Sequence, residues 1–371
     1  MIKRRKTKQI KVAGVKIGGD APISIQSMTN TDTRDITATV IQIKALEEVG
    51  CEIIRVAVPN MEAAGALEKI KASISIPLIS DIHFDYRIAL KAIDAGVDGL
   101  RLNPGNVGSR ERIKKIVNAA RATGISIRIG VNAGSLEEEI LSKYGRPTPE
   151  AMVESAIRHI NILEEFGFRD IKVSLKASDV RKTIDAYRLL ADKVNYPFHI
   201  GITEAGTVFS GTVKSSVGLG ILLAEGIGDT VRVSLTGDPI NEVRVAWEVL
   251  KALKLRKRGV NIISCPTCGR IKLDAVRLAT EIEKRLSHIT KPINVAVMGC
   301  VVNGPGEAIE SDIGIAGGDG VGLLYIGGRI VKKVKEREII DVVVGEVERM
   351  VSEDTPPTGR GILTARKFPL P

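Results

Sequence analysis

Aromatic residues are scarce in this sequence of 371 residues: Phe, Trp and Tyr together make up 3%, and there is one Trp. The core must therefore be built mainly of Ile, Val, Leu and Ala, and a hydrophobic content of 44% is enough for that. Single-stranded nucleic acid is usually bound by stacking on aromatic rings, so this scarcity argues against that class of protein. The length exceeds what one hydrophobic core usually sustains, which predicts two domains.

Cysteines are also few, and long apolar runs are missing. Four cysteines do not make a disulfide scaffold at this length. No apolar segment approaches a membrane span, and the apolar stretch of a signal peptide does not follow the basic run from Lys3 to Lys8. We therefore expect a cytoplasmic protein with no membrane contact, in which the basic run is a solvated arm.

The charge balance is strongly basic. The formal net charge is +10 and the sequence pI is about 9.4. Such a balance favours anionic partners, among them nucleic acids, phosphorylated metabolites and acidic proteins, without choosing among these.

A short β-rich run followed by an amphipathic helix recurs eight times before residue 256. This pattern predicts an α/β protein with a TIM (β/α)8 barrel over residues 1–256, and a doubly wound open sheet is the rival. Three of the clearest predicted helices cover residues 110–123, 148–167 and 240–253. The predicted strands are 23–30, 52–59, 77–83, 99–106, 126–134, 170–178, 198–206 and 230–238.

A basic hinge at residues 256–259 leads into a smaller α+β domain, predicted over residues 257–371. Its predicted strands lie at 260–264, at 293–298, near Ile313 and at 322–326. Its predicted helices lie near residues 274–287 and 338–351. The tail from Thr355 is rich in Pro and Gly, and we expect it to be irregular.

The predicted barrel strands are unusually polar on one face. Alternate residues of a strand point to opposite sides, so Ile54, Val56 and Val58 face the helices while Arg55 points inward with Ile53. By the same parity, the inward set near the carboxyl ends of the strands comprises Asp81, His83, Arg101, Asn103, Arg128, Asn132, Ser174, Lys176, Arg232 and Ser234.

Unpaired buried cations are costly, so this inward set needs a balancing charge. A purely structural network would use Asp81 and Glu204, but two acids do not balance five cations. An anionic ligand is the simpler explanation, because Arg forks bind phosphate oxygens bidentately. Lys172 is a rival to Lys176 for contact with such an anion. Active sites of this fold lie at the same end of the barrel.

Two side chains in the barrel are candidates for proton transfer. Glu204 ends the seventh strand, and a carboxyl beside a polyanion suits a proton donor with a raised pKa. His83 is the second candidate, although a hydrogen-bonded barrel residue explains it equally well.

The cysteine pattern indicates a metal site. Cys265 and Cys268 form a C-x2-C pair, and Cys300 follows without a second pair. Three thiolates with a different fourth ligand suit a [4Fe–4S] cluster, and Glu307 is the nearest oxygen ligand. A structural zinc site remains open, because the C-x2-C spacing serves both. We interpret Cys51 as a small core residue.

Taken together, these segments resemble the bacterial 4-hydroxy-3-methylbut-2-enyl-diphosphate synthase family of the non-mevalonate isoprenoid pathway. The resemblance covers essentially the whole chain, and each segment is weak alone. The segments are QSMTNT (26–31), DIHFD (81–85), RLNPGN (101–106), GITEAG (201–206), SCPTCGR (264–270) and VNGPGE (302–307).

This resemblance implies reductive ring opening of 2-C-methyl-D-erythritol 2,4-cyclodiphosphate, with flavodoxin or ferredoxin as electron donor. It implies one [4Fe–4S] cluster per chain, and a homodimer in which the cluster domain of one chain caps the barrel mouth of the other. Glu204 would be the proton donor, with Asp81 and His83 beside it. The implied cluster ligands are Cys265, Cys268, Cys300 and Glu307, and the implied substrate-binding residues are Arg55, Arg101, Arg128, Asn132, Lys176, Thr203, Ser234 and Asn303.

Two other classes of function compete with this one. A zinc-stabilised nucleic-acid-binding barrel would explain the high pI, although nucleic acid does not enter a barrel. A pterin-type synthase would share the barrel but would leave the three late cysteines unexplained.

Overall fold

The computed structural model describes residues 2–266 and 268–353. Their contacts divide the chain into two compact units, one ending at Arg256 and the other starting at Lys257. No helix in the described part of the chain is both long and apolar enough to cross a membrane.

The first unit is a nearly closed barrel of eight parallel strands, which confirms the predicted fold class. The strands are β3 (Ser24–Met28), β4 (Ile53–Ala57), β5 (Leu78–Asp81), β6 (Gly99–Arg101), β7 (Ser126–Asn132), β8 (Ile171–Lys176), β9 (His199–Ile200) and β10 (Thr230–Val231). Their order around the barrel is β8-β7-β6-β5-β4-β3-β10-β9, and a bridge between Val173 and Phe198 brings β8 beside β9.

Helices surround the barrel and cover its apolar outer face. Ile54, Val56 and Val58 belong to this core, whereas Arg55 points the other way, as the parity predicts. Asp35, Asn60, Asp85, Thr148, Asp179 and Asp238 cap helices by accepting a backbone N–H. The helices are α1 (Ile36–Glu48), α2 (Met61–Ala72), α3 (Tyr86–Asp94), α4 (Arg110–Thr123), α5 (Glu138–Tyr144), α6 (Pro149–Glu165), α7 (Val180–Ala191), α8 (Val208–Ala224) and α9 (Pro239–Ala252).

A hairpin that the sequence pattern did not predict closes the amino end of the barrel. It consists of β1 (Ile10–Val12) and β2 (Val15–Ile17), which pair antiparallel. Its apolar side chains pack against Ile53 and Ile79, the inward residues at the amino ends of two barrel strands.

The prediction of a solvated basic arm is wrong. Arg4 forms an ion pair with Asp229 at 2.8 Å. Arg5 lies 3.9 Å above the Phe198 ring and donates to the carbonyl oxygens of Val194 and Tyr196. Val194 and Tyr196 come just before β9, so these hydrogen bonds hold the arm at the amino end of the barrel.

The second unit is an α+β sandwich with a five-stranded sheet in the order β11-β12-β13-β14-β15. The first three strands are parallel and the last two antiparallel. The sequence pattern did not predict α11 or β15, and the tail from Thr355 lies outside the described residues. The elements are β11 (Val260–Ser264), α10 (Ala275–Arg285), β12 (Ile293–Met298), α11 (Gly304–Glu310), β13 (Ile313–Gly317), β14 (Val321–Ile326), β15 (Arg329–Lys335) and α12 (Ile339–Glu353).

Candidate active site

A buried charge cluster lies at the carboxyl end of strands β4, β5 and β6. The Asp81 carboxylate lies 3.1 Å from Arg101 Nη1 and 3.5 Å from Arg55 Nε. Arg101 Nη1 is also 2.7 Å from His83 Nε2. Since a guanidinium only donates, Nε2 accepts and the ring proton is on Nδ1.

The electrostatics of this cluster fix its protonation states. Burial opposes the charge on Asp81, but Arg55 and Arg101 outweigh it, so the pKa of this carboxyl is lowered. Burial is the main cause of the lowered pKa of His83. Asp81 is therefore an anion that positions the two arginines, and His83 is a neutral acceptor near pH 7.

Glycine and asparagine make room for Arg101 and orient it. A Cβ on Gly130 would lie 2.5 Å from Arg101 Nε, so a side chain there would displace the guanidinium. Arg101 Nη2 donates to the Gly130 carbonyl at 2.8 Å. Asn103 donates to the same carbonyl and accepts from the Gly130 N–H at 2.9 Å, which joins the ends of β6 and β7.

Arg128 and Lys176 extend the cationic surface along β7 and β8. Arg128 Nη1 donates to Ser174 Oγ at 2.8 Å, but its buried Nε and Nη2 make no hydrogen bond within the described structure. Lys176 Nζ is within 2.7 Å of where a Cβ on Gly201 would lie. Burial lowers the pKa of both groups, and neighbouring cations lower it further.

Sequence analysis did not identify a second buried acid that lies beside the inward cations. Glu242 on α9 is buried, lies 3.6 Å from Arg232 Nη2 and accepts from Ser27 Oγ at 3.2 Å. Glu204, the second acid of the purely structural alternative, is exposed. Glu242 shares the core-facing side of α9 with Ala246 and Val249, and a charge on an apolar helix face was the available signal.

The barrel interior therefore carries an excess of buried positive charge. Asp81 and Glu242 face Arg55, Arg101, Arg128, Lys176 and Arg232. Buried N–H groups of several of these cations have no acceptor in the described structure. Such a surface can bind a polyanion, which would supply both the missing charge and the missing acceptors.

Glu204 sits in a turn whose backbone is strained. Its φ is +52°, in the left-handed region that side chains other than glycine rarely adopt. The turn is held by the Thr203 N–H, which donates to the Ala177 carbonyl, and by the Gly206 carbonyl, which accepts from Thr236. Thr203, Asn132 and Ser234 are each partly exposed at the same end of the barrel.

A buried histidine supports the loop of residues 103–106, and sequence analysis did not identify it. His159 Nδ1 accepts the Gly105 N–H at 3.1 Å, while Nε2 lies 2.7 Å from Glu137 Oε1. Burial opposes ionisation of Glu137, but hydrogen bonds from His159 and Ser155 outweigh it and lower its pKa to about 2. The helix α6, which carries His159, thus fixes the shape of the loop beside Arg101.

In the second unit, the topology brings the predicted thiol ligands to one end of the sheet. Cys265 follows β11 and Cys300 follows β12, and these strands are parallel neighbours in which Ser264 pairs with Val297. The Gly299 N–H lies 3.3 Å from Cys265 Sγ. Cys268 and Cys300 both interact electrostatically with Arg270. Cys51 is buried in the barrel unit, as expected for a core residue.

The thiol environment suits ligation by thiolates. A hydrogen bond from the Arg270 N–H lowers the pKa of Cys268, and hydrogen bonds from the Asn303 and Val302 N–H groups lower that of Cys300. Among the described residues, no three His, Cys, Asp or Glu side chains converge on one metal ion. A [4Fe–4S] cluster carries its protein ligands on separate irons, so their side chains stand further apart. By donor chemistry and topology, the residues fit such a cluster.

The predicted fourth ligand, Glu307, lies on α11, which starts directly after Asn303. Both side chains are exposed. A Cβ on Gly304 would lie 3.0 Å from the Cβ of Ala316, so close packing of α11 against β13 limits this position to a very small residue.

The fold and the site define a TIM-barrel protein with a cationic mouth and an appended α+β domain. The chain belongs to the GcpE family: residues 7–247 match the GcpE TIM-barrel domain and residues 261–349 match the GcpE protein C-terminal domain. This match leaves the zinc-stabilised nucleic-acid-binding alternative without support.

Relatives that are similar over nearly their whole length bear one name. A protein of Geobacter sulfurreducens is 63% identical over 94% of this chain and 99% of its own length. A protein of Symbiobacterium thermophilum is 58% identical over 97% of this chain and 99% of its own length. A protein of Caldanaerobacter subterraneus is 61% identical over 95% of this chain and 100% of its own length. Each is named 4-hydroxy-3-methylbut-2-en-1-yl diphosphate synthase (flavodoxin).

Solved structures resemble the barrel only distantly. A dihydropteroate synthase of Xanthomonas albilineans matches with a TM-score of 0.46 and 14% identity over 66% of this chain and 98% of its own. A 3-dehydroquinate dehydratase of Geobacillus kaustophilus matches with a TM-score of 0.47 and 13% identity, over 67% of this chain and 99% of its own. Likeness at this level supports no functional argument.

Proposed function

We propose that this chain is an oxidoreductase that converts 2-C-methyl-D-erythritol 2,4-cyclodiphosphate to 4-hydroxy-3-methylbut-2-enyl diphosphate, with two electrons from flavodoxin or ferredoxin and loss of water. The observation that carries the proposal is the excess of buried cations at the barrel mouth. A cyclic diphosphate brings two negative charges and several acceptor oxygens, which this surface lacks. The names of the similar relatives support the same reaction.

In this proposal, residues 1–256 bind the substrate. The residues that hold the diphosphate are Arg55, Arg101, Arg128, Lys176 and Ser234. The first four are buried cations, and burial makes their contact with a phosphate stronger than it would be in water. The side chains proposed to line the rest of the pocket are Asp81, His83, Asn132 and Thr203, and the resemblance adds Asn303 from residues 257–371.

Glu204 is the proposed proton donor. Hydroxide is a poor leaving group, so breaking the C–O bond requires an acid at the departing oxygen. Glu204 is a carboxyl that no buried cation of the site neutralises by an ion pair in the described structure. Asp81, by contrast, is bound to two arginines, which favours its anionic form and a positioning role.

Residues 257–371 form the proposed cluster domain. Cys265, Cys268, Cys300 and Glu307 would hold one [4Fe–4S] cluster per chain. A bound cluster would supply electrons and a Lewis-acidic iron. A carboxylate ligand exchanges more readily than a thiolate, so Glu307 suits a position that a substrate oxygen must reach.

The assembly and location in this proposal rest on the resemblance. They are a homodimer whose active site is shared between chains, and a cytoplasmic protein that binds neither nucleic acid nor membrane.

The test is an anaerobic assay of the full chain with the cyclic diphosphate and reduced flavodoxin. We expect the product to appear, and we expect Arg128→Met to abolish both substrate binding and turnover. Lys114→Met on the exposed face of α4 is the matched control and keeps both. Absence of product from protein that carries its cluster would overturn the proposal.

A further inference from the structure

Beneath the proposed diphosphate pocket lies a second layer of inward side chains with no role in the proposed reaction. We call Gln26, Lys172, His199 and Thr230 the buried polar layer. Lys172 is four residues before Lys176 on β8 with the same parity, which places it roughly 13 Å nearer the amino end of the barrel. Its exposed fraction is 1%, and that of His199 is 0%.

Polar atoms of this layer lack partners. Lys172 Nζ, both ring nitrogens of His199, both amide atoms of Gln26 and Thr230 Oγ1 make no hydrogen bond within the described structure. Fully buried polar atoms are rarely left in this state without a reason. The layer therefore contains a potential cation and several unused acceptors inside one barrel.

The groups around Lys172 disfavour the charged form of its amine. Burial is the largest cause, followed by Arg128 and Arg55, and Asp229 opposes them; together they lower the pKa of Lys172 to about 7. Burial and nearby cations also hold the pKa of His199 well below its ordinary value. The charged and titratable groups that face the layer are Arg55 on β4, Arg128 on β7, Lys176 on β8, His199 on β9, Asp229 before β10 and Arg232 after it.

We propose that Lys172 is a variable counter-charge for the anion pocket: at about pH 8 its amine is largely neutral when the barrel is empty and takes up a proton when a cyclic diphosphate binds above it. The proposal rests on the proposed function. The proton comes from solvent and binds the Nζ lone pair, and no bond of the ligand changes. Two ligand charges offset the cations that disfavour the ammonium form.

Proton uptake on binding measures this directly. The anaerobically purified full chain is titrated calorimetrically with 2-C-methyl-D-erythritol 2,4-cyclodiphosphate at about pH 8, in buffers that differ in ionisation enthalpy. Each phosphorus of this ligand has one ester link, one anhydride link and one strongly acidic oxygen that stays ionised at this pH, so the ligand itself exchanges no proton. A group of pKa about 7 is about one-tenth protonated there, so we expect uptake of nearly one proton per chain.

Variants assign the proton to its residue. Lys172→Met loses the uptake, and Lys114→Met on exposed α4 keeps it. Lys172→Arg carries a permanent charge, so it should bind the cyclic diphosphate without taking up a proton. This variant provides the test if Lys172→Met does not fold.

Three outcomes overturn the proposal. Binding without proton uptake shows that the charge of Lys172 does not respond. Uptake that persists in Lys172→Met assigns the proton to another group of lowered pKa, Lys176 or His199. Failure of the wild-type chain to bind the cyclic diphosphate overturns the proposed function itself, and the proposal with it.

Discussion

Glu204 combines a strained backbone with an exposed carboxyl at the mouth of a cationic barrel. We predict that Glu204→Gln binds the cyclic diphosphate with unchanged affinity but loses turnover by about 10²- to 10⁴-fold, because the amide cannot donate an acidic proton. Calorimetry for binding and an anaerobic turnover assay check the two parts separately. Normal turnover in this variant would remove Glu204 from the role of acid.

Lys172 gives a prediction about stability. Its pKa of about 7 in the folded chain lies below its ordinary value of 10.5, so between these values the unfolded chain holds a proton that the folded chain has lost. The stability of the folded state therefore rises with pH across this window, and the cost of burying the amine is greatest below pH 7. We predict that Lys172→Met raises the free energy of unfolding by about 2–4 kcal/mol near neutral pH.

Denaturant unfolding at several pH values checks this prediction. The gain from Lys172→Met should shrink as the pH approaches 10.5, whereas Lys114→Met should change stability little at any pH. A gain that does not vary with pH would mean that the amine is not responsible.

For single residues, the alternation along each strand predicts that Arg55, Asp81, Arg101 and Arg128 point into the barrel. The structure places all four there. This alternation does not show which side chains from the helices contact the site. Glu242 and His159 come from helices distant in sequence, and a helical pattern shows which face is buried without showing which side chain it meets. Contacts of this kind are set by tertiary packing.

The position of the loop of residues 103–106 depends on its contact with His159 on α6. A Cβ on Gly105 would lie 2.8 Å from His159 Cε1. We predict that Gly105→Ala destabilises the chain by roughly 1–3 kcal/mol and weakens binding of the cyclic diphosphate, because the loop must move beside Arg101. Thermal unfolding and calorimetry are the measurements.

Gly65 is the matched control for this substitution. It lies inside α2, and a Cβ there would meet nothing within 4 Å. Gly65→Ala should therefore stabilise the chain slightly, by about 0.5–1 kcal/mol. Equal effects of the two substitutions would show that contact with His159 does not hold the loop.

The element pattern was predictable where periodicity was strong. All eight barrel strands occur, and α4 has the predicted bounds of residues 110–123. The predicted strands extend too far toward the barrel mouth: residues 198–206 yield only β9, His199–Ile200, because the polar turn that carries Glu204 pairs with no neighbouring ladder. The hairpin β1–β2 was missed because its strands are three residues each, which is too short to show alternation.

For the whole molecule, the cysteine site gives a prediction about cofactor retention. We predict that Cys300→Ala loses the cluster, whereas Glu307→Ala retains much of it, because solvent can replace a carboxylate on one iron more easily than a thiolate. Iron and sulfide per chain after anaerobic reconstitution are the measurements. Complete loss in both variants would contradict the idea of an exchangeable fourth ligand.

Chain length, the β/α repeat and the cysteine pattern together predicted a barrel followed by an α+β domain, and the family match confirms this class. The cofactor was less predictable, because C-x2-C serves zinc and clusters alike. Parallel pairing of β11 with β12 accounts for the third thiol, since it brings the segments that carry Cys265 and Cys300 to one end of the sheet.

The proposed reaction depends on an iron–sulfur centre that serves this barrel, and a metal and sulfide count on the anaerobically purified full chain tests for that centre. We expect a brown protein with absorbance near 400 nm and about four irons and four sulfides per chain. A colourless protein that contains zinc and no sulfide would contradict it.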